Sequence, residues 1–434
     1  MDELFERLFS REGSKALIEN AVLPKMMTVE QRFSRPVLPV ERIPEHVAAL
    51  LSEPGIAERM RPGMRVAITA SSRGIANAAL ILKTIVDAVK TRGAIPFIVP
   101  AMGSHGGATA EGQRAILAEY GITEESMGCG IDASMEVVRV GCSEDGDEVS
   151  IAKCAAEADG IILNCRIKPH TSFRGPYESG IMKMMAIGLG KQAGAEACHR
   201  KGFANMAKMV PSFGRVILKN APILFAVACI ENAFDETAEI HAVAAEDICE
   251  REPQLLKRAF ENMPRIHAED CDILIVDRVG KDISGAGVDP NVTGIQCTPY
   301  VSGGLKSQYV VFLDVTDASH GNPGNLGLAD VTTRRAVEKI CLDTVYVNAI
   351  TYKLLSGNGI PVFMDNDRDA IRLALKFCFS DNPRIIRIQD SLHVSRIQFS
   401  EAYLQEVDTN PILTRLTEPE PMAFDGEGNL LPIC

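Results

Sequence analysis

Residues 64–99 read MRVAITASSRGIANAALILKTIVDAVKTRGAIPFIV, and two periodicities follow one another within them. Met64–Thr69 is a short apolar run of strand length. Ala76–Arg92 then carries Ala79, Leu82, Ile85, Val86 and Val89 at helical spacing, and Gly93 stands where a helix C-cap belongs. Ile95–Val99 is a second strand-like run in spite of Pro96, and Thr109–Tyr120 reads as the next helix. From residue 64 the chain thus alternates strand and helix patterns.

The alternation continues outward. Gly160–Leu163, Phe225–Ile230, Asp272–Val276 and Tyr309–Leu313 are apolar runs of buried-strand character, so a largely parallel sheet with helices on both faces is expected. Around Pro264–Cys271 a helix-rich stretch ends and a strand begins. The sequence therefore divides into two Rossmann-like α/β domains, residues 1–268 and 269–399, with an active-site cleft expected between them. Residues 400–434 are expected to return to the first domain. The Gly/Pro-rich stretches Gly280–Gly304 and Asp317–Asp330 are long for loops of a compact domain, and ligands of open α/β sheets bind beyond the carboxyl ends of strands where such loops lie.

Composition narrows the function. Of 434 residues 46% are hydrophobic, which supports a sizeable core. The 45 basic and 57 acidic residues give a formal net charge of -12, which argues against nucleic acid or an anionic membrane surface as partner. A small anionic substrate remains compatible, because a local cation cluster outweighs distant, salt-screened charge. The acidic start, Met1-Asp2-Glu3-Leu4-Phe5-Glu6, lacks a secretory pattern, and Ile223–Ile230 falls far short of a bilayer span. Twelve cysteines occur without a Cys-x-x-Cys pair, so a reducing cytoplasm is expected rather than a zinc ribbon or iron–sulfur cluster. Self-association is left open.

Four stretches carry chemistry. Thr69-Ala70-Ser71-Ser72-Arg73-Gly74 is a small polar turn feeding a helix, an arrangement whose N–H groups and dipole attract anions; alone, it is more simply an exposed turn with a solvated Arg73. Ala101-Met102-Gly103-Ser104-His105-Gly106-Gly107 follows a strand and leaves His105 uncrowded for acid–base work. Lys168-Pro169-His170-Thr171-Ser172 follows another strand; a turn histidine is the bland reading of both. Lys183 lies among Met182, Met184, Met185 and Ile187, where an ammonium either snorkels to water or is desolvated towards nucleophilic reactivity. His199, beside Arg200 and Lys201, is by itself a helix-surface residue.

In order and spacing, His105, His170, Lys183 and His199 resemble the site of the nickel-dependent lactate racemase family. The intervals are 65 (170−105), 13 (183−170) and 16 (199−183) residues, with the middle one slightly long. The resemblance implies that Lys183 tethers a nickel-pincer nucleotide, nickel bound to a pyridinium-3,5-bisthiocarboxylic acid mononucleotide, through a thioamide. It implies that His199 is the protein ligand to nickel and that His105 and His170 are paired bases. Ser72 and Arg73 match the family's cofactor-binding turn, and Arg73 with Lys281 would hold a substrate carboxylate. Two departures stand out: Ala70 replaces an acidic residue of that turn, and Asp282-Ile283-Ser284-Gly285-Ala286-Gly287 stands where lactate racemases carry an Asn-Leu-Tyr-Gln type of motif. Both suggest a related branch with another 2-hydroxy acid as substrate.

The implied racemisation or epimerisation needs a hydride route, because proton loss beside a carboxylate would create a dianion. A hydroxyl of pKa about 15.7 lies roughly 9 units above a histidine, about 12 kcal/mol, so proton and hydride must leave together. Two other classes compete. One is a zinc-dependent hydrolase or lyase built on His105, His170 and His199, although no compact His-x-x-x-His pair is present. The other is a non-catalytic nucleotide-binding protein using Arg73 and the glycine loops, which leaves a second base unexplained.

Overall fold

A computed structural model describes residues 11–72 and 74–433. It resolves into two compact units, one of residues 34–263 and one made of the segment ending at Phe33 together with Pro264 onward.

The unit of residues 34–263 is built on a five-stranded sheet in the order Ile95–Pro100, Arg65–Ala70, Gly160–Arg166, Ile223–Glu231 and Thr237–Ala244. The first four run parallel and the last pairs antiparallel with its neighbour. Alternate residues separate two cores. Ala67, Val99, Ile161, Leu163 and Ala226 face one, whereas Val66, Ile68, Ile98, Ile162 and Val227 face the other. Because both faces are buried, the strands read as continuous apolar runs instead of alternating ones. Helix Ala78–Thr91 buries Ile81, Leu82, Ile85, Val86 and Val89 in the second core. Helix Ala110–Glu119 begins where the Thr109 hydroxyl accepts the Gly112 N–H, a side-chain cap for a donor the helix leaves unpaired. Beside the sheet, Val137–Cys142 and Glu148–Ala152 form an antiparallel hairpin.

The other unit has a second sheet. Val362–Met364, Val331–Thr333, Lys306–Phe312, Asp270–Val276 and Ile385–Ile388 run parallel in that order, and Arg396–Ser400, Lys25–Gln31 and Leu413–Arg415 extend it antiparallel. Residues 400–434 thus do not join residues 34–263, contrary to the sequence-based expectation. Instead Leu413–Arg415 and Glu420–Pro421 both pair with Lys25–Gln31, which itself pairs with Arg396–Ser400. Backbone groups of a central strand need partners on both edges, and the two ends of the chain supply them to each other. The loops 280–304 and 317–330 pack together: Lys281 N–H donates to Asn322 O at 3.0 Å and Asn325 N–H to Ala286 O at 3.2 Å. Among the described residues no helix is long and apolar enough to cross a membrane.

Candidate functional site

In the sheet of residues 34–263 the chain leaves Arg65–Ala70 towards one edge, through Ile95–Pro100, and then crosses to Gly160–Arg166 on the other side. The carboxyl ends of strands at such a reversal are the usual ligand position in open α/β sheets. Ser72, His105 and His170 each follow one of these three strands.

His105 is exposed, and its Nδ1 lies 2.5 Å from the Ser72 hydroxyl. The Tyr120 hydroxyl in turn donates to the Ser72 carbonyl at 3.4 Å. Three glycines shape the His105 loop with positive φ, Gly103 at 59°, Gly106 at 66° and Gly107 at 63°. At Gly103 a Cβ would come within 3.3 Å of Ile187, so with its positive φ a glycine suits the close approach of this loop to the turn that follows Lys183. The loop is further held by Gln113, whose Nε2 donates to Gly103 O at 3.1 Å and His105 O at 3.3 Å. Lys191, 0% exposed, donates to Gln113 Oε1 at 3.0 Å and to Pro100 O at 2.8 Å. Burial lowers this ammonium to about 8. One buried lysine therefore ties the end of a strand, the helix beyond the His105 loop and the segment between Lys183 and His199.

His170 sits in a loop organised around Glu178, which is 2% exposed. The Glu178 carboxylate accepts the His170 N–H at 2.6 Å, the Gly175 N–H at 3.1 Å and an Arg174 N–H at 3.3 Å, while burial raises its pKa. Arg174 also donates to the His170 carbonyl at 2.7 Å, and the imidazole packs over Phe173 with centroids 4.3 Å apart. Ser172 N–H donates to His170 Nδ1 at 3.0 Å.

Lys183 ends a short helical turn, Ile181–Lys183, that continues as a π-helical turn, Met184–Leu189. π-turns are rare and cluster at functional sites. The following helix, Lys191–His199, starts at Lys191 with φ of 51°, so Lys183 and His199 do not share one straight helix. Met182 and Met185 are buried while Lys183 is half-buried, and its ammonium donates to Ser179 Oγ at 3.2 Å. Gly188 and Gly194 permit close packing: a Cβ would meet Ala101 O at 2.8 Å and Ser150 O at 3.0 Å respectively. His199 Nδ1 lies 2.7 Å from Ala195 O, and a carbonyl can only accept, so Nδ1 carries the proton and Nε2 keeps its lone pair. Burial, with the nearby Lys183 ammonium adding, holds His199 below the ordinary imidazole value. A neutral imidazole with its second nitrogen fixed by a carbonyl is the form that binds metals.

The structure therefore brings Ser72 and His105 into contact, and it brings Lys183 and His199 within electrostatic reach. The His105 loop is tied to the segment carrying the latter pair through Gly103 N–H to Gly188 O, 3.2 Å. Lys168 and Ser179 bridge the base of the His170 loop, four residues ahead of Lys183. Arg73 lies outside the described residues. Lys281 belongs to the other unit, where its ammonium donates to Asn348 Oδ1 at 2.7 Å. Gln113, Glu178 and Lys191 escape a sequence reading, since only burial distinguishes them from surface polar residues. Among the described residues no group of three or more His, Cys, Asp or Glu could hold a metal. The donor chemistry present fits a metal that brings its own ligands and takes one imidazole.

Comparison with known proteins gives a family match and matches among solved structures. Residues 12–210 match the lactate racemase N-terminal domain family. Among solved structures the chain is similar to the lactate racemase apoprotein from Thermoanaerobacterium thermosaccharolyticum, at 15% identity over 84% of either chain with a TM-score of 0.49. No curated protein matches.

Proposed function

We propose that this chain, whose residues 12–210 match the lactate racemase N-terminal domain family, inverts C2 of a 2-hydroxy acid, as a racemase or epimerase, with His105 and His170 as the proton-handling pair. The observation that carries the reading is the state of His199. Its Nδ1–H is committed to Ala195 O, its Nε2 lone pair is available, and the Lys183 amine is near. Lys183 would hold the organic part of a nickel-pincer nucleotide and His199 its nickel, with Ser72 and Arg73 at the anion-binding turn. When bound, that group supplies a hydride acceptor for C2.

The remaining work falls to the chain itself. The hydroxyl proton must leave with the hydride, and His105 is exposed, held by Ser72 and uncrowded by glycines. Arg73 is the cation proposed to hold the substrate carboxylate and keep the planar keto acid from escaping. A hydrolytic zinc site would need a cluster of ligands that the described residues do not form. The described cysteines are all free, which suits a reducing compartment such as the cytoplasm.

The test is protein made in a host that synthesises the cofactor. Intact mass should show an adduct that vanishes in Lys183→Ala, metal analysis should show stoichiometric nickel that His199→Ala loses, and a panel of chiral 2-hydroxy acids should reveal interconversion. His105→Ala should abolish interconversion and keep the adduct. An unmodified Lys183 in that host, or racemisation that survives His105→Ala, would refute the reading.

A further inference from the structure

We propose that Lys191 is a positioning residue for the proposed reaction: by fixing the Gln113 amide it sets the backbone of the His105 loop against the segment that carries Lys183 and His199. The inference rests on the function proposed above and concerns how its parts are held together.

Lysine is an unfavourable residue at this position on two counts. Its φ of 51° lies in the left-handed region, which glycine or asparagine adopts at lower cost. Its side chain is fully buried, where leucine or methionine would pack without desolvating an ammonium. Strained backbone and buried ionisable groups persist only where the surroundings hold them, and both concentrate at functional sites. Here both fall on one residue, eight positions from Lys183 and eight from His199 (191−183 and 199−191).

What the amine contributes is a link between elements. It donates to Pro100 O at 2.8 Å, at the end of strand Ile95–Pro100, and to Gln113 Oε1 at 3.0 Å, on helix Ala110–Glu119. Gln113 is fully buried as well, and its amide has one acceptor oxygen and one donor nitrogen. With Oε1 on the lysine, Nε2 faces Gly103 O at 3.1 Å and His105 O at 3.3 Å. Turned over, the amide would set its NH2 against the ammonium and its oxygen against two carbonyls. Lys191 therefore selects the one orientation that holds the His105 loop.

The other side of the loop meets the same short segment. Gly103 N–H donates to Gly188 O at 3.2 Å, three residues before Lys191 (191−188), and a Cβ on Gly188 would stand 2.8 Å from Ala101 O. The loop is thus gripped twice by residues 188–191, once through backbone and once through the Lys191–Gln113 pair. Both grips lie between the side chain proposed to tether the cofactor and the one proposed to bind its metal.

The test uses the full chain, first free of cofactor. Hydrogen exchange is followed at the amides of Gly103, His105 and Ala108, which donate to Gly188 O, Met102 O and Ser104 O, with strand Asp270–Val276 of the other unit as reference. Lys191→Met, similar in length but without a donor, should speed exchange of the loop amides roughly 10-fold or more and leave the reference unchanged. Gln113→Glu keeps an oxygen for Lys191 and removes the donor to the loop, so it should loosen the loop to the same extent. The double variant should exchange no faster than either single one, because both act on one link. In protein loaded with cofactor, each single variant should keep the Lys183 adduct and the nickel. Each should lose on the order of 10²-fold in kcat with KM within about 3-fold, since binding survives while the base is misplaced. Loop exchange at the parent's rate, effects that add in the double variant, or faster exchange in the reference strand as well would overturn the proposal. If Lys191→Met does not fold, Gln113→Glu decides, because its carboxylate pairs with the lysine. If the loaded parent interconverts no 2-hydroxy acid, the function proposed above fails, while the loop amides still show whether Lys191 orders them.

Discussion

Glu252 illustrates how a single buried residue couples the protein to pH. It is 1% exposed on helix Ile248–Asn262, and its carboxyl accepts the Met182 N–H at 2.9 Å, at the start of the turn that carries Lys183. Burial raises its pKa from the ordinary 4.5 to about 8, because desolvation penalises the anion more than the amide hydrogen bonds favour it. The native state then keeps a proton that the unfolded chain releases near 4.5. Stability from this group is fully present below that value, declines as pH rises and is lost through about pH 8. Relative to Glu252→Gln, the parent should therefore lose on the order of a few kcal/mol between pH 5 and pH 8 in urea titrations. A difference that does not vary with pH would mean the carboxyl is ionised in the fold. Nothing in Ile248-Cys249-Glu250-Arg251-Glu252 marks this residue beforehand, since Glu250 and Glu252 look alike in sequence and only packing separates them.

At the scale of elements, the alternation that starts at residue 64 was legible because buried parallel strands and amphipathic helices carry different periods. Met64–Thr69 emerges as Arg65–Ala70, and Ile95–Val99 as Ile95–Pro100; Ala76–Arg92 emerges as Ala78–Thr91. The hairpin at Val137–Cys142 and Glu148–Ala152 was not anticipated, because it is half exposed and carries no continuous apolar run. In the His105 loop, adjacent glycines make opposite demands. Gly106 has φ of 66° and a Cβ there would stand 2.6 Å from the Gly112 carbonyl carbon, whereas Gly107 has φ of 63° and open space. Gly107→Ala should cost only about 1 kcal/mol, the price of a left-handed alanine. Gly106→Ala adds a backbone clash and should cost roughly 3 kcal/mol or more in urea unfolding, with the helix cap at Thr109 displaced. Equal effects would show that the loop relaxes freely, and the placement of His105 would lose its support.

The whole molecule is joined in a way that no local pattern announces. Lys25–Gln31 lies inside the second sheet, between Arg396–Ser400 and Leu413–Arg415, so the beginning and end of the chain complete one unit while residues 34–263 form the other. A fragment of residues 34–263 has both of its cores within itself and should fold alone with cooperative urea unfolding. Residues 264–434 without the first 33 would expose two unpaired strand edges and should be aggregation-prone or protease-sensitive, unless a peptide of residues 11–33 is added back. Limited proteolysis of the three preparations checks this, and a stable 264–434 fragment would contradict it. From sequence alone came the α/β class, the strands leading into the candidate site, and the order of His105, His170, Lys183 and His199, because periodicity and motif order are local or one-dimensional properties. Tertiary structure alone decided which distant strand completes which sheet, which polar residues are buried, and which nitrogen of His199 holds the proton. Those depend on partners brought from far along the chain, and a hydrogen bond is specified by the group it meets as much as by the residue that makes it.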